Sequence, residues 1–344
     1  MRRALDHPMR LLAAVMLING CGVTSDEPTP SLTSTTLASH VALSDLTGLY
    51  PGGNTVPALH NTLGLAQARL VTPRSTAGLP TTAALGGRII LLGIGFSNMT
   101  QEWCTQFGLD GVTCSPWTFM GQAAASPLVR KPTQGLRLFN GALAGQTIVA
   151  WDNPADSSYT RVDSLLKTRG LSSSQVQAVV LKVADLSPTV SLPAVNADAY
   201  VLARRTGSAL RALRVRYRNL RMVFLISRAY GGYAVINLNP EPFAYEGGLA
   251  VKWVIAAQIL QEKTGKIDPI VGDLAQAPWV AWGSYLWADG MHPRLDGLTW
   301  APSDFESDGT HPSQQGEQKV GSMLLGFVLA SPYTGCWITP GRLC

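Results

Sequence analysis

Charge is scarce in this chain. Only 14% of its 344 residues are Asp, Glu, Lys or Arg, against 46% hydrophobic residues. No Lys/Arg tract occurs, so the mildly basic balance of +5 implies no nucleic-acid partner. No internal repeat stands out. Gly-x-Ser-x-Gly, the signature of a nucleophile elbow, is absent. None of the 5 His stands near a Cys at ligand spacing, so neither a metal site nor a cofactor is called for.

What is present begins with an export signal. Arg2, Arg3 and Arg10 precede a short apolar stretch, residues 11–18, which is too brief for a finished transmembrane helix. Ile18-Asn19-Gly20-Cys21 follows and resembles the lipobox of bacterial lipoproteins, which implies lipidation at Cys21. The expected location is the bacterial cell envelope, lipid-anchored at the outer membrane or facing the periplasm, with plain secretion as the alternative. Residues 1–20 read as the signal peptide and 21–40 as a Ser/Thr/Pro-rich tether. Residues 41–344 read as one domain. Four further cysteines, Cys104, Cys114, Cys336 and Cys344, suit two disulfides in an exported chain. Their spacing favours local loops, although three pairings are open.

Along the body, aliphatic runs alternate with helical patterns. Residues 88–94, 177–183 and 220–227 read as buried strands; 136–139 and 279–282 are weaker strand candidates. Residues 197–217, 246–263 and 313–330 read as helices, the last with Pro312 at its start. Residues 41–86 lack strong periodicity and read as an irregular segment. The alternation predicts an α/β fold, a three-layer α/β/α sandwich around a mostly parallel, flavodoxin-like sheet. In such sheets ligands bind beyond the carboxyl ends of the strands.

Two short segments name a chemistry. Gly95-Phe96-Ser97-Asn98 follows the apolar run of the first strand, so Ser97 can stand on a tight turn at a helix N-terminus. Asp308-Gly309-Thr310-His311-Pro312 brings a carboxylate and an imidazole within one turn. A nucleophile, a base and a group that orients the base are the parts of a serine hydrolase. The same Asp-x-x-His spacing also occurs at Asp289 and His292. His311 is preferred because a helix follows it and can hold it rigidly; His292 is left to line the pocket.

These segments, in this order over residues 87–330, resemble the GDSL-like SGNH hydrolases. The resemblance implies Ser97 as nucleophile, His311 as base and Asp308 as its orienting acid. It implies an oxyanion hole of three donors: the Ser97 N–H, a Gly N–H and an Asn side chain. The Gly is expected within residues 140–146, with Gly145 preferred and Gly141 second. Two departures stand out. Phe96 replaces the family's usual Asp, and Asp185 stands after the strand that should supply the Asn. An ionised carboxylate there would repel an oxyanion, so Asp185 can donate only when protonated. Asn98, Asn140, Tyr230 and His292 are expected to contact substrate. The implied substrate is an ester of a lipid, an acylated sugar or a small alcohol. An exported esterase is the leading reading, with carbohydrate O-deacetylation or a non-catalytic surface binding protein as alternatives.

Overall fold

A computed structural model describes residues 48–105 and 114–343. The signal peptide, the tether, Cys21 and Cys344 lie outside the described residues. Five strands form one parallel sheet: β1 (Ile89–Ile94), β2 (Leu136–Asn140), β3 (Val176–Lys182), β4 (Met222–Ile226) and β5 (Trp279–Trp282). Their spatial order is β2-β1-β3-β4-β5, the flavodoxin-like order. The chain goes one way from β1 to β2 and the other way to β3. The crevice between the carboxyl ends of β1 and β3 is therefore the natural place for a ligand.

The strands read as continuous apolar runs because both faces are covered. Alternate residues serve opposite layers. Ile90, Leu92, Val179, Leu181, Val223 and Leu225 join one core cluster, whereas Leu91, Ala178, Val180, Phe224 and Ile226 join the other. The first face is covered by α4 (Ser157–Thr168), α5 (Asp198–Arg216) and α6 (Phe243–Thr264). The second carries α1 (Ala58–Arg69), α2 (Ser97–Trp103), α3 (Phe119–Ala125) and α7 (Gln314–Ala330), with the short α8 (Gly335–Ile338) following. The three-layer sandwich expected from the alternation is therefore present.

Two local expectations need correction. The segment read as irregular contains α1. Its buried residues are His60, Gly64 and Ala68, a stripe too weakly apolar to register as a hydrophobic pattern. It nevertheless seats tightly: His60 stacks on Trp279 and bonds Glu262 and the Val280 carbonyl. Pro312 does not open the last helix. Ser313 caps it, its hydroxyl accepting from the Gly316 N–H, so Pro312 lies outside. Cys104 and Cys114 form a disulfide. Cys336 is also disulfide-bonded.

Candidate active site

Ser97 stands where β1 ends and α2 begins. The turn between them needs Gly95, whose φ is +142°. A Cβ at that position would also meet the Lys182 carbonyl oxygen at 2.9 Å. As the first residue of α2, Ser97 keeps a backbone N–H with no intrahelical acceptor. Its half-buried hydroxyl is turned toward the C-terminal segment of the chain.

That segment brings His311 to it. Ser97 Oγ lies 2.8 Å from His311 Nε2, and His311 Nδ1 lies 2.6 Å from Asp308 Oδ2. With Nδ1–H donating to the carboxylate, Nε2 is free to accept the serine proton. The other oxygen of Asp308 accepts the backbone N–H groups of Thr310 and His311, each at 2.9 Å. This carboxylate cap shapes the loop that presents the imidazole. Partial burial pushes the Asp308 carboxyl up, but its bonds from the His311 ring and these two N–H groups outweigh that and hold it below its ordinary value. Gly309 permits the turn, with φ +63°. A Cβ there would collide with the Tyr233 carbonyl at 1.8 Å.

The triad edges a cavity of about 290 Å3, lined by Ser97, Thr100, Gln101, Ala144, Glu306, Asp308 and His311. The segment expected to give the second oxyanion donor is partly committed. The Gly141 N–H donates to the Gly93 carbonyl, which removes the second choice. Ala142 N–H donates to Asn140 and Leu143 N–H to the Gly95 carbonyl. Ala144 lines the cavity, and the preferred Gly145 follows it on the exposed tip.

Four expected substrate contacts are placed otherwise. Asn98 is buried and donates to the Thr310 carbonyl at 2.8 Å, so it ties α2 to the His311 loop. Asn140 is buried and braces the end of α2 through the Thr100 and Thr105 carbonyls. Tyr230 packs edge-on against Tyr233 and does not line the cavity. The His292 side chain is 86% exposed and, among the described residues, pairs only with Asp289, by its carbonyl and carboxylate. Asp185 is likewise not among the cavity residues. Its carbonyl accepts from Asn239, while burial and the nearby Asp198 raise its carboxyl to about 6, against the pull of Arg205.

Other polar residues at the site were not singled out by the sequence. Gln101 lies one turn beyond Ser97 on α2, an i,i+4 spacing that signals a shared face. Its Oε1 is buried without a hydrogen-bond partner among the described residues. Glu306 adds a carboxylate to the lining. Further along α2, Glu102 meets Lys182 of β3 at 2.6 Å, both buried. Burial drives each toward its neutral form and their mutual contact resists it.

No protein-family model matches the chain, and no curated protein matches it. Solved structures similar in arrangement include the following three. An acetylxylan esterase from Geobacillus stearothermophilus is 14% identical at a TM-score of 0.36, covering 70% of this chain and 92% of its own. A candidate SGNH hydrolase from Slackia heliotrinireducens is 13% identical at 0.32, covering 70% and 98%. A carbohydrate esterase family 2 enzyme with a carbohydrate-binding domain, from Corynascus thermopiles (Myceliophthora fergusii), is 12% identical at 0.36, covering 73% and 68%. TM-scores this low assign no activity, so the functional reading rests on this chain's own side chains.

Proposed function

We propose that this chain is an SGNH-type serine esterase. The observation that supports it best is the unbroken relay from Ser97 Oγ through His311 to Asp308, at 2.8 and 2.6 Å, on the wall of a cavity. In the proposed reaction His311 takes the hydroxyl proton as Ser97 attacks the ester carbonyl. The oxyanion of the tetrahedral intermediate meets the Ser97 N–H at the positive end of α2 and an N–H of the 144–145 segment. His311 then protonates the departing alcohol, and water releases the acyl group by the same route in reverse.

The small cavity suits a short acyl group. Glu306 on its wall disfavours anionic substrates and can accept from alcohol hydroxyls. This supports the second reading, removal of acetyl groups from a carbohydrate, within the same chemistry. A series of p-nitrophenyl esters of rising chain length tests both. Turnover of acetate above octanoate, lost in Ser97→Ala, is expected; turnover retained in Ser97→Ala removes the proposal. Residues 41–344 are proposed as its single domain, exported and held at the envelope through lipid on Cys21. Cys21→Ala then releases the protein to the soluble fraction; unchanged membrane retention refutes the anchor.

A further inference from the structure

Arg228 follows β4 and has no part in the relay, yet it is 4% exposed. Its Nη1 donates to Asn98 Oδ1 at 3.2 Å and its Nη2 to the Thr310 carbonyl at 3.4 Å. Asn98 itself donates to that same carbonyl at 2.8 Å. The three groups form a closed triangle. One corner follows the nucleophile in sequence and another precedes the base. The guanidinium also lies over the Phe96 ring, 5.5 Å from its centroid.

This is a costly way to join two loops. A buried cation needs a paired anion to recover its hydration energy. The nearby Glu102 is already bonded to Lys182, and Arg228 Nε has no partner among the described residues. Burial lowers the Arg228 guanidinium to about 10, against the attraction of Glu102, Glu241 and Asp308. A planar fork delivers two diverging donors at fixed angles, which Lys cannot do. Ser97 and His311 are 214 residues apart in sequence. Their 2.8 Å approach depends on how the two loops are registered.

We infer that Arg228 is a positioning residue, whose fork sets the register between the Ser97 turn and the His311 loop through Asn98 and Thr310. The inference rests on the esterase reading. It assigns Arg228 no contact with substrate, so its loss should slow the chemical step and leave binding alone.

The test uses the full chain as wild type, Ser97→Ala, Arg228→Met and Arg228→Lys. Hydrolysis of p-nitrophenyl acetate, the rate of fluorophosphonate labelling and the melting temperature are measured for each. Arg228→Met is expected to lower kcat about 100-fold with KM nearly constant, and to slow labelling in parallel. Arg228→Lys keeps the charge and loses the fork. It should melt near the wild type while kcat stays about tenfold down. A purely structural role predicts instead that kcat recovers together with the melting temperature. If Arg228→Met does not fold, Arg228→Lys decides. A folded Lys variant with wild-type kcat overturns the inference, as does a rise in KM at unchanged kcat. Labelling of wild type at Ser97 with equal labelling of Arg228→Met overturns the inference and leaves the esterase reading intact. Wild type that neither hydrolyses nor labels overturns both.

Discussion

The chain carries Asp-x-x-His twice, and the structure treats the two copies differently. Asp308 and His311 are each about one-quarter exposed, whereas Asp289 and His292 are largely solvated. At the first copy the carboxylate accepts two backbone N–H groups as well as the ring. At the second the exposed imidazole meets Asp289 alone among the described residues, 3.2 Å from its carbonyl and 3.4 Å from its carboxylate. The first is followed by a capped helix and stapled to the nucleophile by Asn98. The second is followed by turns. A motif of this length therefore fixes a local hydrogen-bond option, and its surroundings decide whether that option is rigid enough for chemistry.

The sharpest way to break this contrast is to remove the relay. Ser97→Ala or His311→Ala should each lower kcat by about 10⁴-fold or more, measured against a short p-nitrophenyl ester. His292→Ala should leave kcat within twofold of wild type; a large loss there would exchange the two motifs. Next in size is Asp308→Asn, with a loss of about 10³- to 10⁴-fold from a mis-set tautomer, while Asp289→Asn changes little.

The effect of Asp308 on stability has a definite sign. Its folded pKa is lowered, so its contribution is present above the unfolded carboxylate pKa and is lost as pH falls through the folded value. Chemical denaturation below about pH 4 should show this slope in wild type and a flatter one in Asp308→Asn.

The smallest expected effect concerns α7, the helix that backs His311. Burial raises Glu317 to about 7, even though it accepts from Trp117 Nε1 at 2.6 Å. A raised carboxyl pKa means that the folded state holds its proton longer than the unfolded state. Stability then falls as pH rises from about 4.5 to 7. Glu317→Gln should remove this slope and add about 1 kcal/mol at pH 7, after discounting for solvent screening. A slope that persists in the variant would assign it to another group.

Much of the frame was legible because apolar runs and caps are local signals. Three strands could be placed from their apolar runs, those at 136–139 and 279–282 more weakly, and the helix after His311 from its pattern. The helix Ala58–Arg69 escaped because its buried face is His60, Gly64 and Ala68, residues chosen for close contact with Trp279 and Val280. At the site, the two motifs that carry Ser97 and Asp308 with His311 were visible in the sequence, and the fold brings these side chains within hydrogen-bond distance. Asn98 and Asn140 were over-read. An amide beside a nucleophile suggests a ligand contact, yet both are consumed by backbone carbonyls of the scaffold. Arg228 follows a strand at the carboxyl edge of the sheet, a position that in sequence fits a site wall and plain loop packing equally well. Its importance exists only once α2, the end of β4 and the His311 loop are in one place.

The distance in sequence between Ser97 and His311 has a kinetic consequence. The serine is made early by the ribosome and its base almost last, and parallel strands must pair across long loops before the two can meet. On the proposed esterase reading, a nascent chain halted before residue 308 carries Ser97 without the groups that would activate it. Ester turnover would thus serve as a clock for the last step of folding, switching on only when the C-terminal helix docks.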